Sequence, residues 1–253
     1  MAAPPFAEFR DVTKRFGDGP LILDRLSLSV EIGDFVSLIG PSGCGKSTLL
    51  RIIAGLIPAT SGTLTIAGLT PADTQANLAY VFQEPTLLPW LTTAANVELA
   101  QKLRGVPRAE SIATRHRVLE LVQLSDKADA YPRQLSGGQK MRVSIARALS
   151  LAPKLLLLDE PFGALDEMTR ERLNEELLAI RAQQSWTTFF VTHSVAEAVF
   201  LSNRIVILSA NPGRVHGEIP IDLPYPRTAD TRVSRSYQDR VAEVSSALRS
   251  VVA

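Results

Sequence analysis

The 253-residue chain is 45% hydrophobic and 21% charged, a globular composition long enough to bury a sizeable core as one domain, or as one core with a subdomain. A formal net charge of +1 argues against a broad electrostatic footprint for nucleic acid, and Cys44, the only cysteine, excludes an intrachain disulfide and fits a reducing compartment. The start "MAAPPFAEFR" has neither the basic nor the apolar region of a secretory leader, and no apolar run approaches the ~20 residues of a bilayer span, so the expectation is a protein that is soluble or docks on something that is not.

From Phe6 to Ile66 the pattern is mostly strand-like. "LSLSVEI" places Leu26, Leu28, Val30 and Ile32 on one face by strict alternation, and "SGTLTIAG" repeats the signal between Gly62 and Gly68. The short apolar run "DFVSLIG" leads directly into "GPSGCGKST" (40–48), and helix-forming "KSTLLRIIAG" follows, stopping near Gly55 and Pro58. Further apolar runs lie at 77–83, 154–160, 187–193 and 203–209. Helical patterns separate the last three. Residues 167–183 carry Leu173, Leu177 and Ile180 on one stripe, and 194–201 open with the capping-box pattern Ser194-x-x-Glu197. Alternating strands and helices predict an α/β fold with a parallel sheet covered on both faces.

Residues 94 to about 150 break that rhythm with consecutive helical patterns, which predicts a helical subdomain inserted at about 84–150. Within it, "LSGGQ" (135–139) lies just ahead of a periodic run from Met141 to Leu149, where glycines and a helix N-terminus suit an anion. The tail, 212–253, is rich in Pro and Arg before a last amphipathic helix with Val241, Val244, Leu248 and Val251 on one face.

Gly40-x-x-x-x-Gly45-Lys46-Ser47 matches the Walker A pattern and lies between a predicted strand and helix, where that pattern must lie. Its glycines let successive N–H groups turn toward phosphate oxygens, so Gly40, Pro41, Ser42, Gly43, Cys44, Gly45, Lys46, Ser47 and Thr48 form the candidate nucleotide cradle. Lys46 is expected to reach the β and γ phosphates, Ser47 to ligand Mg²⁺, and Thr48 to contact the α-phosphate. Cys44 has two readings: a small filler, or a thiol activated by the helix N-terminus.

"LLLLDE" ends a predicted buried strand in Asp159 and Glu160. Ligands of an open parallel sheet bind at the carboxyl ends of its strands, so this pair faces the phosphate loop. Asp159 suits Mg²⁺ ligation and Glu160 suits deprotonation of an attacking water. "TTFFVTHS" delivers Thr192 and His193 in the same way, with His193 a candidate γ-phosphate contact. "AYVFQ" delivers Gln83, whose amide oxygen suits Mg²⁺.

These motifs, in this order, resemble the nucleotide-binding subunits of ABC transporters over nearly the whole chain. The resemblance implies a P-loop NTPase core with an N-terminal antiparallel β subdomain and an inserted helical subdomain, and ATP hydrolysis with ATP and Mg²⁺. It implies that Ser136, Gly137, Gly138 and Gln139 form a signature contacting the γ-phosphate held by a second copy, in a head-to-tail homodimer that clasps two ATP molecules. Gln83 resembles the Q-loop, "GALD" ending at Asp166 the D-loop, His193 the switch histidine, and Phe16 the aromatic that stacks on adenine, unless it is core.

"FQEPTLLPWLTTAANV" and "SANPGRVHGEIPIDLPYPR" are similar to the branch importing nitrate, sulfonates, taurine and related compounds. This implies a transmembrane permease as partner, indirectly a solute-binding protein, and a peripheral place at the cytoplasmic face of the inner or plasma membrane. Glu84 to Leu91, with Pro85, Pro89 and Trp90, is either the surface receiving the permease or subdomain packing. A soluble ABC ATPase acting on a non-membrane partner is the alternative, but the long coiled-coil insertion or tandem domains such proteins carry are lacking. A P-loop kinase would leave LSGGQ, Gln83 and His193 idle, and intact Glu160 argues against a binding module without turnover.

Overall fold

The computed structural model describes residues 4–184 and 186–251. Its strands are β1 (Ala7–Arg15), β2 (Leu21–Val30), β3 (Phe35–Ile39), β4 (Ser61–Ile66), β5 (Leu78–Val81), β6 (Leu155–Asp159), β7 (Thr187–Val191), β8 (Arg204–Leu208) and β9 (Val215–Pro220). Its α-helices are α1 (Lys46–Ile53), α2 (Pro71–Thr74), α3 (Thr93–Leu103), α4 (Arg108–Leu121), α5 (Gly137–Leu149), α6 (Glu167–Ala182), α7 (Val195–Leu201), α8 (Ala229–Val233) and α9 (Arg235–Ser250).

Strands β2-β1-β4 form an antiparallel sheet, and β5-β6-β7-β3-β8-β9 form the main sheet, parallel except for β9. Every residue of β3, β6 and β7 is buried, as a parallel sheet covered on both faces requires. The two-residue period sorts their side chains. Leu155, Leu157, Phe189, Val36 and Leu38 face a core shared with the antiparallel sheet and α1, while Leu156, Leu158, Phe190, Phe35 and Ile39 face the helices on the other side. Between β5 and β6 the named elements are all helical, and Val97, Val118, Leu119, Met141 and Ile145 join the second core.

Three local features differ from the sequence pattern. Ile32 does not continue the strand: the Asp34 carboxylate accepts from Glu31 N–H at 3.0 Å and Gly33 takes φ 82°, so the chain turns and leaves Ile32 exposed. Ser194 caps α7 by accepting from Glu197 N–H at 3.3 Å, but the Glu197 carboxylate does not close the capping box, because it turns inward to accept from the Thr192 hydroxyl. LSGGQ is not a loop ahead of a helix. Ser136 is the N-cap of α5, and Gly137, Gly138 and Gln139 are its first turn. The Pro- and Arg-rich tail also contains β9, paired to β8 from Arg204↔Pro220 to Leu208↔Val215.

The tail is fixed to the core. Val244 is fully buried, and the buried Arg227 guanidinium donates to the carbonyls of Val199, Phe200 and Ser202 at the C-terminal end of α7, as well as to Leu223 and Ile221. Helix-end carbonyls with no partner of their own, together with the negative end of the helix dipole, suit a cation there.

Candidate nucleotide site

The parallel strands end along one edge of the sheet, and the candidate residues leave that edge: Gly40 after β3, Gln83 after β5, Asp159 and Glu160 at the end of β6, and Thr192 and His193 after β7. Two glycines are dictated by space. Gly45 adopts φ 97° where a Cβ would stand 2.7 Å from Leu23 Cδ2, and a Cβ on Gly40 would meet the Leu208 carbonyl oxygen at 2.5 Å. Lys46 is buried, and its Nζ donates to the carbonyls of Gly40 at 2.9 Å and Pro41 at 3.0 Å, so the ammonium lies across the loop. No acidic residue stands in the first turn of α1, which leaves the positive helix end uncompensated.

Cys44 is fully buried, 2.9 Å from the position of a Cβ on Gly40. Burial pushes its thiol up, outweighing the lowering by Lys46. The structure therefore favours the filler over the activated thiol.

Asp159, 8% exposed, accepts from Ser47 Oγ at 2.9 Å on one oxygen and from Tyr80 Oη at 2.9 Å on the other. Ser47 and Asp159, drawn from α1 and β6, thus converge at hydrogen-bond distance. Both offer hard oxygen donors, and among the described residues there is no cluster of three His, Cys, Asp or Glu. Such a set fits Mg²⁺, which takes one or two protein oxygens and completes its shell with phosphates and water. Tyr80 was missed in the sequence because it reads as one more strand-forming residue in an apolar run. Burial and the neighbouring Asp159 raise its phenol well above its ordinary range.

Glu160 takes φ 49°, and its Oε1 lies 2.7 Å from His193 Nε2. The left-handed backbone is held by Glu160 N–H donating to Val191 O at 3.0 Å, and by Glu160 O accepting from Gly163 N–H at 3.2 Å. Glu160, His193, Gln83, Gly163, Arg170, Thr192, Ser194 and Glu197 line a cavity of about 340 Å³. Thr192 leaves the strand end as the sequence indicates, and Glu197 accepts from its hydroxyl. Burial pushes the Glu197 carboxyl up, against the opposing effects of Thr192 and Arg170.

The signature lies outside that cavity. Ser136 Oγ accepts from Gln139 N–H at 3.2 Å, and Gln139 Oε1 accepts from Ser136 N–H at 2.9 Å, a closed capping box. Small residues are needed here: a Cβ on Gly137 would sit 3.3 Å from Leu165 Cδ2, and one on Gly138 would sit 2.9 Å from Thr169 Cγ2. Asp166 is the N-cap of α6, and the Thr169 N–H it accepts at 3.0 Å holds its carboxyl below the usual range. Phe16, at the turn after β1, is 51% exposed and so is not core, with Lys14 Nζ 4.7 Å from its ring centroid.

The segment after Gln83 is pinned by Arg147 of α5, which donates to the carbonyls of Thr86 and Pro85, each at 3.0 Å. Trp90 projects from it at 69% exposed. Exposed Leu56, Phe82 and Leu103 edge an adjoining groove between the sheet and the helical segment.

The profile of the ABC transporter family matches residues 23–163. The aliphatic sulfonates import ATP-binding protein SsuB of Bacillus cereus is 45% identical over 218 residues, covering 86% of this chain and 84% of its own length. The nitrate import ATP-binding protein NrtD of a Synechocystis species is 43% identical over 236 residues, covering 90% and 88%. A solved dimeric structure of a post-hydrolysis state of the ATP-binding cassette MJ0796, bound to ADP and Pi, is 32% identical with a TM-score of 0.74, covering 86% of this chain and all of that one. With its phosphate loop, strand-end carboxylates and histidine on one edge of such a fold, this chain belongs to the ABC transporter family, as an ATP-binding, ATP-hydrolysing member.

Proposed function

We propose that the chain is the ATPase subunit of an importer for a small solute of the sulfonate or nitrate kind, acting through a separate membrane permease. The observation that carries the mechanism is the Glu160–His193 contact at 2.7 Å on the strand edge that also holds the phosphate loop.

The loop amides and Lys46 bind the β and γ phosphates of ATP, and the Lys46 ammonium exchanges its loop carbonyls for phosphate oxygens. Phe16 offers an exposed ring for adenine. Ser47 and Asp159, with Gln83 as a further oxygen donor, would hold Mg²⁺, which would supply charge neutralisation at the phosphates. Glu160 takes a proton from the attacking water at a carboxylate oxygen. On ATP binding the His193 Nε2–H exchanges the Glu160 carboxylate for a γ-phosphate oxygen, which frees that carboxylate for the water.

The signature outside the cavity supports a head-to-tail dimer, in which Ser136, Gly137, Gly138 and Gln139 complete the nucleotide site of the other copy and Asp166 lies at the join. The dimeric cassette relative supports the same reading. Trp90 and the Leu56–Phe82–Leu103 groove are the surface offered to the permease, and Arg147 ties that surface to the signature helix. No helix among the described residues is long and apolar enough to cross a membrane, so the permease would place this subunit peripherally at the cytoplasmic face of the inner or plasma membrane. A solute-binding protein would deliver the cargo on the other side.

The test is reconstitution with the permease in vesicles. Turnover should rise several-fold when a binding protein loaded with a sulfonate or nitrate is enclosed, and Trp90→Ala should uncouple that rise while sparing basal hydrolysis. Hydrolysis that ignores the permease would sink the importer reading.

A further inference from the structure

Arg170, near the start of α6, joins two turns that the mechanism leaves separate. Its Nη2 donates to the Leu165 carbonyl at 2.9 Å, in the turn that leads to Asp166. Its Nε lies 3.8 Å from Oε1 of Glu197, which is 5% exposed. Glu197 Oε2 accepts from the Thr192 hydroxyl, and Thr192 Oγ1 accepts from Ser194 N–H at 3.0 Å, so one hydroxyl braces the backbone on both sides of His193.

The far end of this chain of contacts reaches the signature. The places where Gly137 and Gly138 would carry a Cβ abut Leu165 and Thr169, so a displacement of the start of α5 toward α6 presses on the 163–166 turn and the first turn of α6.

At 3.8 Å the Arg170–Glu197 pair is a charge contact and not a hydrogen bond. Among the described residues neither Arg170 Nε nor Glu197 Oε1 has a hydrogen-bond partner, although both are buried atoms. Asn174 and Arg232 also border Glu197 with unmet polar atoms, but of these groups Arg170 is the one anchored to Leu165, and its Nε, short of bonding Oε1 by about 1 Å, can close on it in a second arrangement.

We propose that Arg170 is a positioning residue that couples the signature and the 163–166 turn to His193 through Glu197 and Thr192. The proposal rests on the reading of His193 as a γ-phosphate contact. Since the signature serves the partner's nucleotide in that reading, the relay links the two ATP sites of the dimer within a single subunit. Engagement of Ser136–Gln139 by the partner's ATP shifts the 163–166 turn, Arg170 follows its Leu165 anchor onto Glu197, and the Thr192 brace sets the His193 imidazole.

The test is a double-mutant cycle on the full chain, at protein concentrations high enough for dimerisation. Arg170→Met should lower saturating turnover about tenfold with ATP affinity unchanged, and should slow the enzyme no further in a His193→Ala background. Thr192→Val should repeat that pattern and Thr192→Ser should restore the rate, which keeps the test open if Arg170→Met fails to fold. Losses that multiply with His193→Ala, or a Thr192→Ser variant as slow as Thr192→Val, would overturn the coupling alone. Wild-type turnover by His193→Ala itself would remove the site reading, and the relay with it.

Discussion

His193 Nε2 and Glu160 Oε1 are 2.7 Å apart because β6 and β7 are paired in register, with Asp159 opposite Val191, and Glu160 leaves the shared edge one residue after β6 and His193 two residues after β7. The pair depends on sheet geometry more than on its own attraction. Conservative changes should therefore alter the chemistry and leave the architecture intact.

Glu160→Gln keeps an oxygen that can accept from His193 but loses the base. Saturating turnover should fall by ~10²-fold or more, the usual share of a general base, while ATP binding persists and an ATP-bound dimer accumulates. Phosphate release, titration calorimetry and size-exclusion chromatography check the three parts. Wild-type turnover would remove Glu160 from its role.

Lys46 and the signature are expected to act in different copies, and mixed dimers separate the arrangements. Lys46→Ala in one subunit and Ser136→Arg in the other strike the same composite site and should leave one site working, with about half the wild-type rate. Both lesions in one subunit, paired with a wild-type partner, should abolish activity. The reverse pattern would place the signature on its own chain's nucleotide.

Tyr80→Phe retains the ring stacked on Phe82 at 4.4 Å between centroids but removes a hydrogen bond to a buried carboxylate. Chemical denaturation should register a loss of roughly 1–2 kcal/mol, and the Mg²⁺ concentration for half-maximal hydrolysis should rise. Unchanged values in both assays would show that Ser47 alone is enough to hold Asp159.

Cys44, shielded and with its thiol pushed up by burial, should resist N-ethylmaleimide at neutral pH in the folded chain, with nucleotide binding preserved. Mass spectrometry that finds rapid labelling would restore the activated-thiol reading.

Most of the fold, and the sheet edge on which the candidate site residues gather, can be read directly from the residues, for a physical reason. Strands buried on both faces must be apolar throughout, so "LLLLDE" and "TTFFVTH" announce both their place in the sheet and the point where polar groups emerge. What cannot be read from the sequence is whatever depends on contacts distant along the chain. Tyr80 joins the candidate site only because Asp159 is its neighbour 79 residues later, and Glu197 has a helix-capping spacing yet serves a buried hydroxyl. Strand β9 alternates half-buried and exposed residues with charged and proline positions among them, an edge-strand pattern too weak to stand out from a Pro/Arg-rich tail.

Helix α7 is held at both ends: Ser194 and Thr192 secure the end beside His193, and Arg227 gathers the carbonyls at the other. The family profile stops at residue 163, so a fragment cut to that profile would lack β7, β8 and this whole clamp. One cut just short of residue 227 would leave α7 with bare carbonyls in an apolar surround. The chain beyond the profile, through Arg227 to the helix that buries Val244, is thus part of the same core as the strands that carry the candidate site.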